Sequence, residues 1–209
     1  MRAYFDARAP TFDRLYDHGP GLRGRLDDWV VGSLRSTLET TLAELGDLRT
    51  KTLLDIGCGP GRYAVAAAER GAHVVGIDLS SRMLALARHR ARDRGVSDRC
   101  RFLEADFDTY QPDTCFDVVL MISFIEYRVN PFLDLARLRA LTIEKAIVKI
   151  PLPYRWQTIA RRVRHRLRNS PPSFHVHSPA AIAACLEDIG FDSRQSDRGL
   201  FVAYPHQKR

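Results

Sequence analysis

The sequence predicts an α/β fold, a doubly wound, mostly parallel seven-stranded sheet with an antiparallel final strand and an N-terminal helical cap. From residue 52 onward, short apolar segments alternate with segments of helical periodicity, which is typical of parallel βαβ units. The last two strands are separated only by Asp197-Arg198-Gly199, which is too short for a helical crossover, so they should pair antiparallel. Residues 1–50 show amphipathic helical spacing instead. We therefore expect a helical cap over residues 1–50 and one globular domain over residues 51–209.

Seven segments predict the strands of the sheet. The first ends at a glycine, as buried strands of parallel sheets often do, and Phe116–Ile122 is apolar enough to be central. Pro151 ends the fifth strand. The predicted strands are Thr52–Ile56, His73–Asp78, Arg101–Glu104, Phe116–Ile122, Ala146–Ile150, Asp192–Ser196 and Leu200–Tyr204.

Capping residues delimit the helices between these strands. Ser80 is a predicted N-cap, Gly71 and Gly95 follow helix ends, and Pro131 opens a helix. Ser178 is predicted to cap the last helix, which Gly190 closes. The predicted helices between the strands are Arg62–Arg70, the segment from Ser80 to Gly95, Pro131–Leu141 and Pro179–Ile189. Two more are predicted in the cap. One lies around Phe5, Phe12, Leu15 and Tyr16, and the other covers Leu22–Leu48 with an interruption near Gly32.

Composition limits the class of protein. The chain has 209 residues, of which 45% are hydrophobic and 27% charged, so collagen, low-complexity disorder and coiled coil are excluded. No apolar run approaches the ~20 residues of a membrane helix, and the N-terminus lacks the apolar segment of a secretory signal. The four cysteines show neither a C-x-x-C pair nor metal-ligand spacing. We therefore expect a cytoplasmic protein with reduced thiols and no metal site.

A glycine-rich segment carries the strongest functional signal. Asp55-Ile56-Gly57-Cys58-Gly59-Pro60-Gly61 lies where the first strand meets its helix, and ligands of doubly wound sheets bind beyond such strand ends. Asp78 ends the second strand 21 residues after Gly57, where a carboxylate can accept hydrogen bonds from ribose hydroxyls. In the dinucleotide pattern G-x-G-x-x-G/A the third small residue would be Arg62, which argues against a dinucleotide. The sequence therefore predicts a site for a nucleoside cofactor.

This D-x-G-x-G-x-G pattern resembles motif I of class I S-adenosylmethionine (SAM)-dependent methyltransferases, which have a Rossmann-like fold, and the resemblance covers roughly residues 52–204. It implies that the glycine loop wraps the methionine and ribose parts of SAM. Asp55 and Gly57 match positions that contact the amino-acid end, and Asp78 matches the ribose-binding acid. Phe116-Asp117-Val118-Val119 resembles motif IV, which leads into the active-site segment of residues 123–127.

The same resemblance assigns the remaining cofactor contacts. Asp106 matches the acid that accepts from the adenine amine, with the backbone amide of Phe107 beside it. Residues 4–16 are similar to the opening helix of small-molecule methyltransferases, where Phe12 replaces the usual tyrosine and Tyr16 or Tyr4 could substitute; an ordinary amphipathic helix is the alternative. The predicted cofactor-binding residues are Asp55, Gly57, Cys58, Gly59, Gly61, Asp78, Leu79, Asp106, Phe107, Ile122 and Tyr16.

A softer resemblance concerns the substrate class. The opening Tyr-Phe-Asp, the segment Ile125-Glu126-Tyr127-Arg128 and an Arg-rich insert before Ser170-Pro171 are similar to the magnesium-protoporphyrin O-methyltransferase group, and quinone-biosynthesis methyltransferases are a related type. The predicted catalytic residues are His175, His177 and Tyr127. A hydroxyl acceptor needs a base, whereas a carboxylate acceptor needs none. Glu126 could orient the acceptor, His18 is a weaker candidate base, and a surface histidine pair at a helix start is the alternative for His175 and His177.

The net charge of +7 has a local origin. Residues 145–186 carry eight basic side chains and no acid, and the stretch from Arg155 to Arg168 has the spacing of a basic amphipathic helix. This segment could contact an anionic substrate, an anionic membrane surface or RNA, or be a solvated face. We expect SAM-dependent O-methylation of a small molecule, at a hydroxyl or a carboxylate. The alternatives are a nucleic-acid methyltransferase and a SAM-binding regulator without turnover.

Overall fold

The computed structural model describes residues 1–7, 9, 36–152, 174–196 and 199–206. Seven strands form one sheet in the order β3-β2-β1-β4-β5-β7-β6. Strands β1 to β5 pair in parallel, and β7 lies antiparallel between β5 and β6. The strands are β1 Thr52–Ile56, β2 His73–Asp78, β3 Cys100–Glu104, β4 Phe116–Ile122, β5 Thr142–Lys149, β6 Phe191–Gln195 and β7 Leu200–Pro205. The predicted doubly wound sheet with an antiparallel last strand is confirmed.

Four helices with described bounds connect these strands. They are α1 Arg62–Ala68, α2 Ser81–Asp93, α3 Pro131–Leu141 and α4 Pro179–Asp188, and short 3-10 turns cover Ser97–Arg99 and Ile125–Tyr127. In the N-terminal region residues 2–7, 9 and 36–45 are helical. No described helix combines the length and the apolar character needed to cross a lipid bilayer.

Two hydrophobic clusters cover the two faces of the sheet. Leu53 belongs to the cluster that packs α1, α2 and the helical residues 36–45, whereas its neighbour Leu54 belongs to the cluster that packs α3 and α4. This split follows from the strand geometry, because successive side chains point to opposite faces. Both leucines are fully buried. Because helices cover both faces, the C-terminal edge of the parallel strands is where a ligand can enter.

Two local predictions need correction. The fifth strand begins at Thr142 instead of Ala146, since the backbone of Thr142 pairs with Phe116 although the intervening residues are mostly polar. Ser178 does occupy the N-cap position of α4, but its side chain makes no capping hydrogen bond; its carbonyl accepts from the N–H of Ile182 instead. Ser80, by contrast, caps α2 through its hydroxyl, which accepts from the N–H of Met83 at 3.1 Å.

Candidate functional site

The candidate site is a crevice at the C-terminal ends of β1, β2 and β4. The chain order reverses at β1, since β2 and β4 lie on opposite sides of it, and such switch points are the usual ligand sites of doubly wound sheets. The glycine loop after β1 is tied to the neighbouring strand, because the N–H of Cys58 donates to the carbonyl of Ile77 at 3.0 Å. The N–H of Gly61 donates to the carbonyl of Cys58, which closes the loop.

Two glycines of this loop have opposite surroundings. Both Gly59 (φ 52°) and Gly61 (φ 76°) adopt the left-handed conformation, which other residues rarely adopt. A Cβ atom added at Gly61 would lie 2.7 Å from the Cβ of Ala87 in α2, so this glycine permits close packing of the loop on α2. A Cβ added at Gly59 would meet no atom within 4 Å. Gly59 therefore leaves open space at the surface of the crevice.

Asp78 ends β2 and holds the glycine loop. Its Oδ2 accepts from the N–H of Gly59 at 2.9 Å, and its Oδ1 accepts from the N–H of Ser80 at 2.8 Å. Burial raises the pKa of this carboxyl, and the negative charge of Asp6 adds to that rise. Each carboxylate oxygen has more than one acceptor site, so both oxygens retain capacity for ligand hydroxyls.

Asp55 is a buried carboxyl at the C-terminal end of β1, one residue before the strand ends. Its exposure is 2%, and burial raises its pKa to about 7 although the N–H of Ala64 donates to it. The nearby charge of Asp78 raises the pKa further. Its Oδ2 has no hydrogen-bond partner among the described residues. A buried acceptor without a donor is unfavourable in the absence of a ligand, which makes Asp55 a candidate binding residue.

The loop after β3 forms the next wall of the site. Asp106 is exposed and its Oδ1 accepts from the N–H of Asp108 at 3.0 Å, which folds the loop into a tight turn. Phe107 is buried and its ring lies edge-on to that of Phe124, with 5.7 Å between the centroids. The side chain of Cys58 is also buried, in the core cluster on the α1 side, so this residue offers the crevice its backbone only. Leu79 is half-buried and Ile122 is buried at the end of β4.

The segment after β4 carries Tyr127, one of the three predicted catalytic residues. Ser123 has a positive φ of 56°, unusual for a residue with a side chain, and it turns the chain sharply into the 3-10 turn. The ring of Tyr127 lies edge-on to Phe5, with 5.2 Å between centroids, and to Phe174, with 6.4 Å. Three separate segments of the chain therefore meet at Tyr127.

The two predicted catalytic histidines lie against this segment. The N–H of His175 donates to the carbonyl of Glu126 at 2.7 Å. The Nε2 of His177 lies 3.3 Å from the carbonyl of Ile125. The two rings are nearly parallel, at an interplanar angle of 26° and 6.3 Å between centroids, so the two side chains lie on the same side of this segment. The Nε2 of His175 is buried and has no hydrogen-bond partner among the described residues.

The N-terminal residues contribute contacts that the sequence did not predict. The Ser80 hydroxyl donates to Asp6 at 2.5 Å, and Arg2 forms an ion pair with Glu104 at 2.7 Å. Asp6 thus reaches the end of β2, next to Asp78. The local spacing of the opening Tyr-Phe-Asp indicates no partner for Asp6 that is 74 residues away. Several of the features predicted from the sequence lie outside the described residues. They are Phe12, Tyr16, His18 and the basic segment from Arg155 to Arg168.

Comparisons with known proteins agree with this geometry. A family profile described as a methyltransferase domain matches residues 53–141, which include the glycine loop, the two strand-end acids and the Asp106 loop. The chain thus resembles a methyltransferase domain over the segment that carries most of the candidate site. The ubiquinone biosynthesis O-methyltransferase of Aeromonas salmonicida is 37% identical over 86 residues, which are 41% of this chain and 36% of that protein. The chain thus spans about a third of the length of the curated relatives it matches.

Solved structures with a similar fold cover most of the chain. The magnesium protoporphyrin IX methyltransferase of Synechocystis PCC 6803 with bound S-adenosylhomocysteine (SAH) has a TM-score of 0.81 at 21% identity, over 98% of this chain and 97% of that chain. The SAM-dependent methyltransferase of Thiobacillus denitrificans, in complex with SAH, has a TM-score of 0.60 at 19% identity, over 77% and 65% of the two chains. Within the described part of this chain, no group of three or more potential ligand side chains is arranged to hold a metal.

Proposed function

We propose that this chain belongs to the class I SAM-dependent methyltransferase family, binds SAM at the β1–β2–β4 crevice and transfers its methyl group to an oxygen of a small-molecule acceptor. The observation that carries the proposal is the joint arrangement of the glycine loop and two acids. Asp78 holds Gly59 at 2.9 Å, and the buried Asp55 lies on the strand that leads into the same loop. Relatives named as an O-methyltransferase of ubiquinone biosynthesis and a magnesium protoporphyrin IX methyltransferase support a small-molecule acceptor.

The residues of the crevice fit SAM. Open space at Gly59 leaves the backbone accessible to the ligand, and Asp78 retains acceptor capacity for ribose hydroxyls. The unpartnered Oδ2 of Asp55 suits the ammonium group at the amino-acid end. Asp106 is exposed on the loop after β3, where an adenine amine could donate to it. When bound, SAM supplies an activated methyl group, because its sulfonium leaves as a neutral thioether.

The protein's own contribution to such a transfer is orientation and the exclusion of water. The rings of Phe5, Tyr127 and Phe174 meet at the end of β4 and form an apolar wall on the acceptor side. Apolar walls with a few polar groups are typical of small-molecule sites. This wall favours an acceptor with an aromatic or other hydrophobic body.

His175 is our candidate for the group that takes a proton from a hydroxyl acceptor. Its Nε2 is buried and has no partner among the described residues, and a hydroxyl of the acceptor would satisfy it. His177 is the weaker candidate, since its Nε2 already lies 3.3 Å from the carbonyl of Ile125. Tyr127 borders the acceptor side through its ring.

Two measurements test the proposal. Isothermal titration with SAM, SAH and NAD should give saturable binding of the first two only; binding of NAD, or of none, would overturn it. An assay with labelled SAM and a panel of phenols, hydrophobic carboxylic acids and RNA should label a phenol or an acid. Mild base removes the label from a methyl ester and leaves it on a methyl ether, which separates the two oxygen acceptors. Labelling of RNA alone would contradict the small-molecule assignment, and binding without any labelling would favour a regulator.

A further inference from the structure

Arg128 links the acceptor side of the crevice to the loop that carries Asp106. It directly follows the 3-10 turn Ile125–Tyr127, and its N–H donates to the carbonyl of Ile125 at 2.9 Å. Its Nε donates to Asp134 in α3 at 2.9 Å, and its Nη2 forms a close ion pair with Asp108. The side chain of Asp134 is 2% exposed and that of Asp108 is 50% exposed. One guanidinium therefore joins a buried carboxylate of α3 to an exposed carboxylate of the loop after β3.

Asp108 belongs to the same tight turn as Asp106. Its N–H donates to the Oδ1 of Asp106 at 3.0 Å, so the position of Asp108 affects the carboxylate that we propose as the acceptor for the adenine amine. Arg137 also holds this loop, because it donates to the carbonyls of Asp108 and Tyr110. Arg137 contacts the backbone and the Phe107 ring, whereas Arg128 holds the Asp108 side chain.

Arg128 is also linked to the glycine loop through the ring of Phe124. Its guanidinium carbon lies 5.6 Å from the centroid of the Phe124 ring, within the range of a cation–π contact. Phe124 in turn packs against Phe107 and against Gly57, where an added Cβ would lie 2.9 Å from the Phe124 Cδ2. The loop after β3, the glycine loop and the segment after β4 thus meet around Arg128 and Phe124.

We propose that Arg128 is a positioning residue that holds the Asp106 loop in place for recognition of adenine. It also couples that recognition to residues 123–127 after β4. This inference rests on the function proposed above. The planar guanidinium can engage two carboxylates at fixed angles, which the point charge of a lysine cannot do. Since Asp106 is exposed and its own contacts are local, its direction depends on what fixes the loop.

Asp108→Asn is the most informative variant. The Asp108 side chain is half exposed in its ion pair with Arg128. Loss of this ion pair should therefore leave the midpoint of urea unfolding almost unchanged. Isothermal titration with SAH and with S-inosylhomocysteine then reports on adenine recognition, because the oxygen of inosine at the position of the adenine amine cannot donate to Asp106. We expect the Kd of SAH to rise about tenfold, which corresponds to about 1.4 kcal/mol. The Kd of S-inosylhomocysteine should stay near its wild-type value.

The ratio of the two Kd values separates positioning from general loss of structure. Arg128→Lys should lower the preference for SAH, and Asp108→Asn should have little further effect in that background, because both changes break one link. Arg139→Lys is the matched control. Arg139 is on α3, the helix that carries Asp134, but it donates to the carbonyl of Gly190 and stacks on Phe191, so its substitution should leave the ratio unchanged.

The outcomes distinguish this inference from the proposed function. If wild-type protein prefers SAH and both the Arg128 and Asp108 variants keep that preference, the positioning role is wrong while the function stands. Independent, additive effects of the two substitutions would also overturn the link. If wild-type protein binds neither nucleoside, the proposed function itself fails.

Discussion

Asp78 and Gly59 form one structural unit, because the carboxylate at the end of β2 accepts the N–H of the glycine loop at 2.9 Å. The acid therefore shapes the loop before any ligand binds, and a ribose would meet a carboxylate whose direction is already fixed by two backbone donors. Preorganisation of this kind reduces the ordering that binding must bring about. The strength of SAM binding should accordingly depend on the charge of Asp78.

Asp78→Asn should weaken SAH binding about thirtyfold, since hydrogen bonds to a charged group contribute about 2 kcal/mol. The amide also places an N–H₂ donor against one of the two backbone N–H groups, which disturbs the loop. Isothermal titration measures the effect. Asp117→Asn is the matched control, because Asp117 also joins two strands, accepting from the N–H of Thr52 at 2.7 Å, but lies at the opposite end of the sheet. Equal losses of affinity in both variants would show that Asp78 acts only through stability.

Gly59→Ala and Gly61→Ala should separate binding from folding. Both substitutions place alanine at a positive φ, which costs about 1 kcal/mol or more. Gly61→Ala also forces a Cβ to 2.7 Å from Ala87, so it should lower the free energy of unfolding much further. Gly59→Ala meets no protein atom within 4 Å and should instead reduce SAH affinity by filling the open space. Urea unfolding and titration together test this, and the reverse ranking in either assay would contradict it.

Asp6 and Ser80 should be coupled in stability. Ser80→Ala removes both the α2 cap and the donor to Asp6, and should lower the free energy of unfolding by about 2 kcal/mol. Asp6→Ala leaves the cap intact and should cost about 1 kcal/mol. The double variant should cost no more than Ser80→Ala alone. Fully additive values in urea unfolding would mean that the contact between Asp6 and Ser80 contributes nothing.

Local sequence patterns predicted the elements that bear the site. β1, β2, β4 and α3 have the predicted bounds, because apolar runs interrupted by glycine or proline specify both the element and its ends. The acids at the ends of β1 and β2 could be located for the same reason. The motif does not indicate the direction of the Cys58 side chain. Cys58 was predicted as a cofactor contact, yet its thiol faces the core, near Gly76.

Contacts between distant segments could not be predicted in the same way. Asp6 is 74 residues from Ser80, and Arg128 is 20 residues from Asp108. Neither pair shares a helix or a strand, so no periodicity relates its members. Both depend on how the sheet brings the ends of β2, β3 and β4 to one edge. The strand order therefore determines these partners, and a motif search along the chain does not detect them.

His175→Ala should reduce kcat for a hydroxyl acceptor by about 10²- to 10⁴-fold, the usual effect of removing a general base. SAH affinity should remain unchanged, because His175 is tied through its backbone N–H to Glu126, after β4, and not to the glycine loop. His177→Ala should have a smaller effect, since its Nε2 lies by the carbonyl of Ile125. His89→Ala, which alters an exposed ring paired with Asp93, is the control. Full activity of the His175 variant would point to a carboxylate acceptor, which needs no base.

Asp55 should make both stability and cofactor affinity depend on pH. Its pKa is raised to about 7 by burial, whereas an aspartate in an unfolded chain titrates near 3.9. Between these values the unfolded chain releases a proton that the folded protein keeps, so Asp55 lowers stability progressively as pH rises from about 4 to about 7. Asp55→Asn removes this penalty and should be more stable than wild type at about pH 8, with a smaller gain at about pH 5.

The same variant should bind SAH more weakly, because the amide carries no charge to pair with the ligand's ammonium group. In the wild type SAH affinity should rise as Asp55 ionises around pH 7, and in Asp55→Asn that rise should disappear. Urea unfolding and titration at about pH 5 and about pH 8 measure both trends. A destabilised Asp55→Asn protein at the higher pH, or a pH-dependence of affinity that survives the substitution, would show that Asp55 is a structural acid with no part in binding.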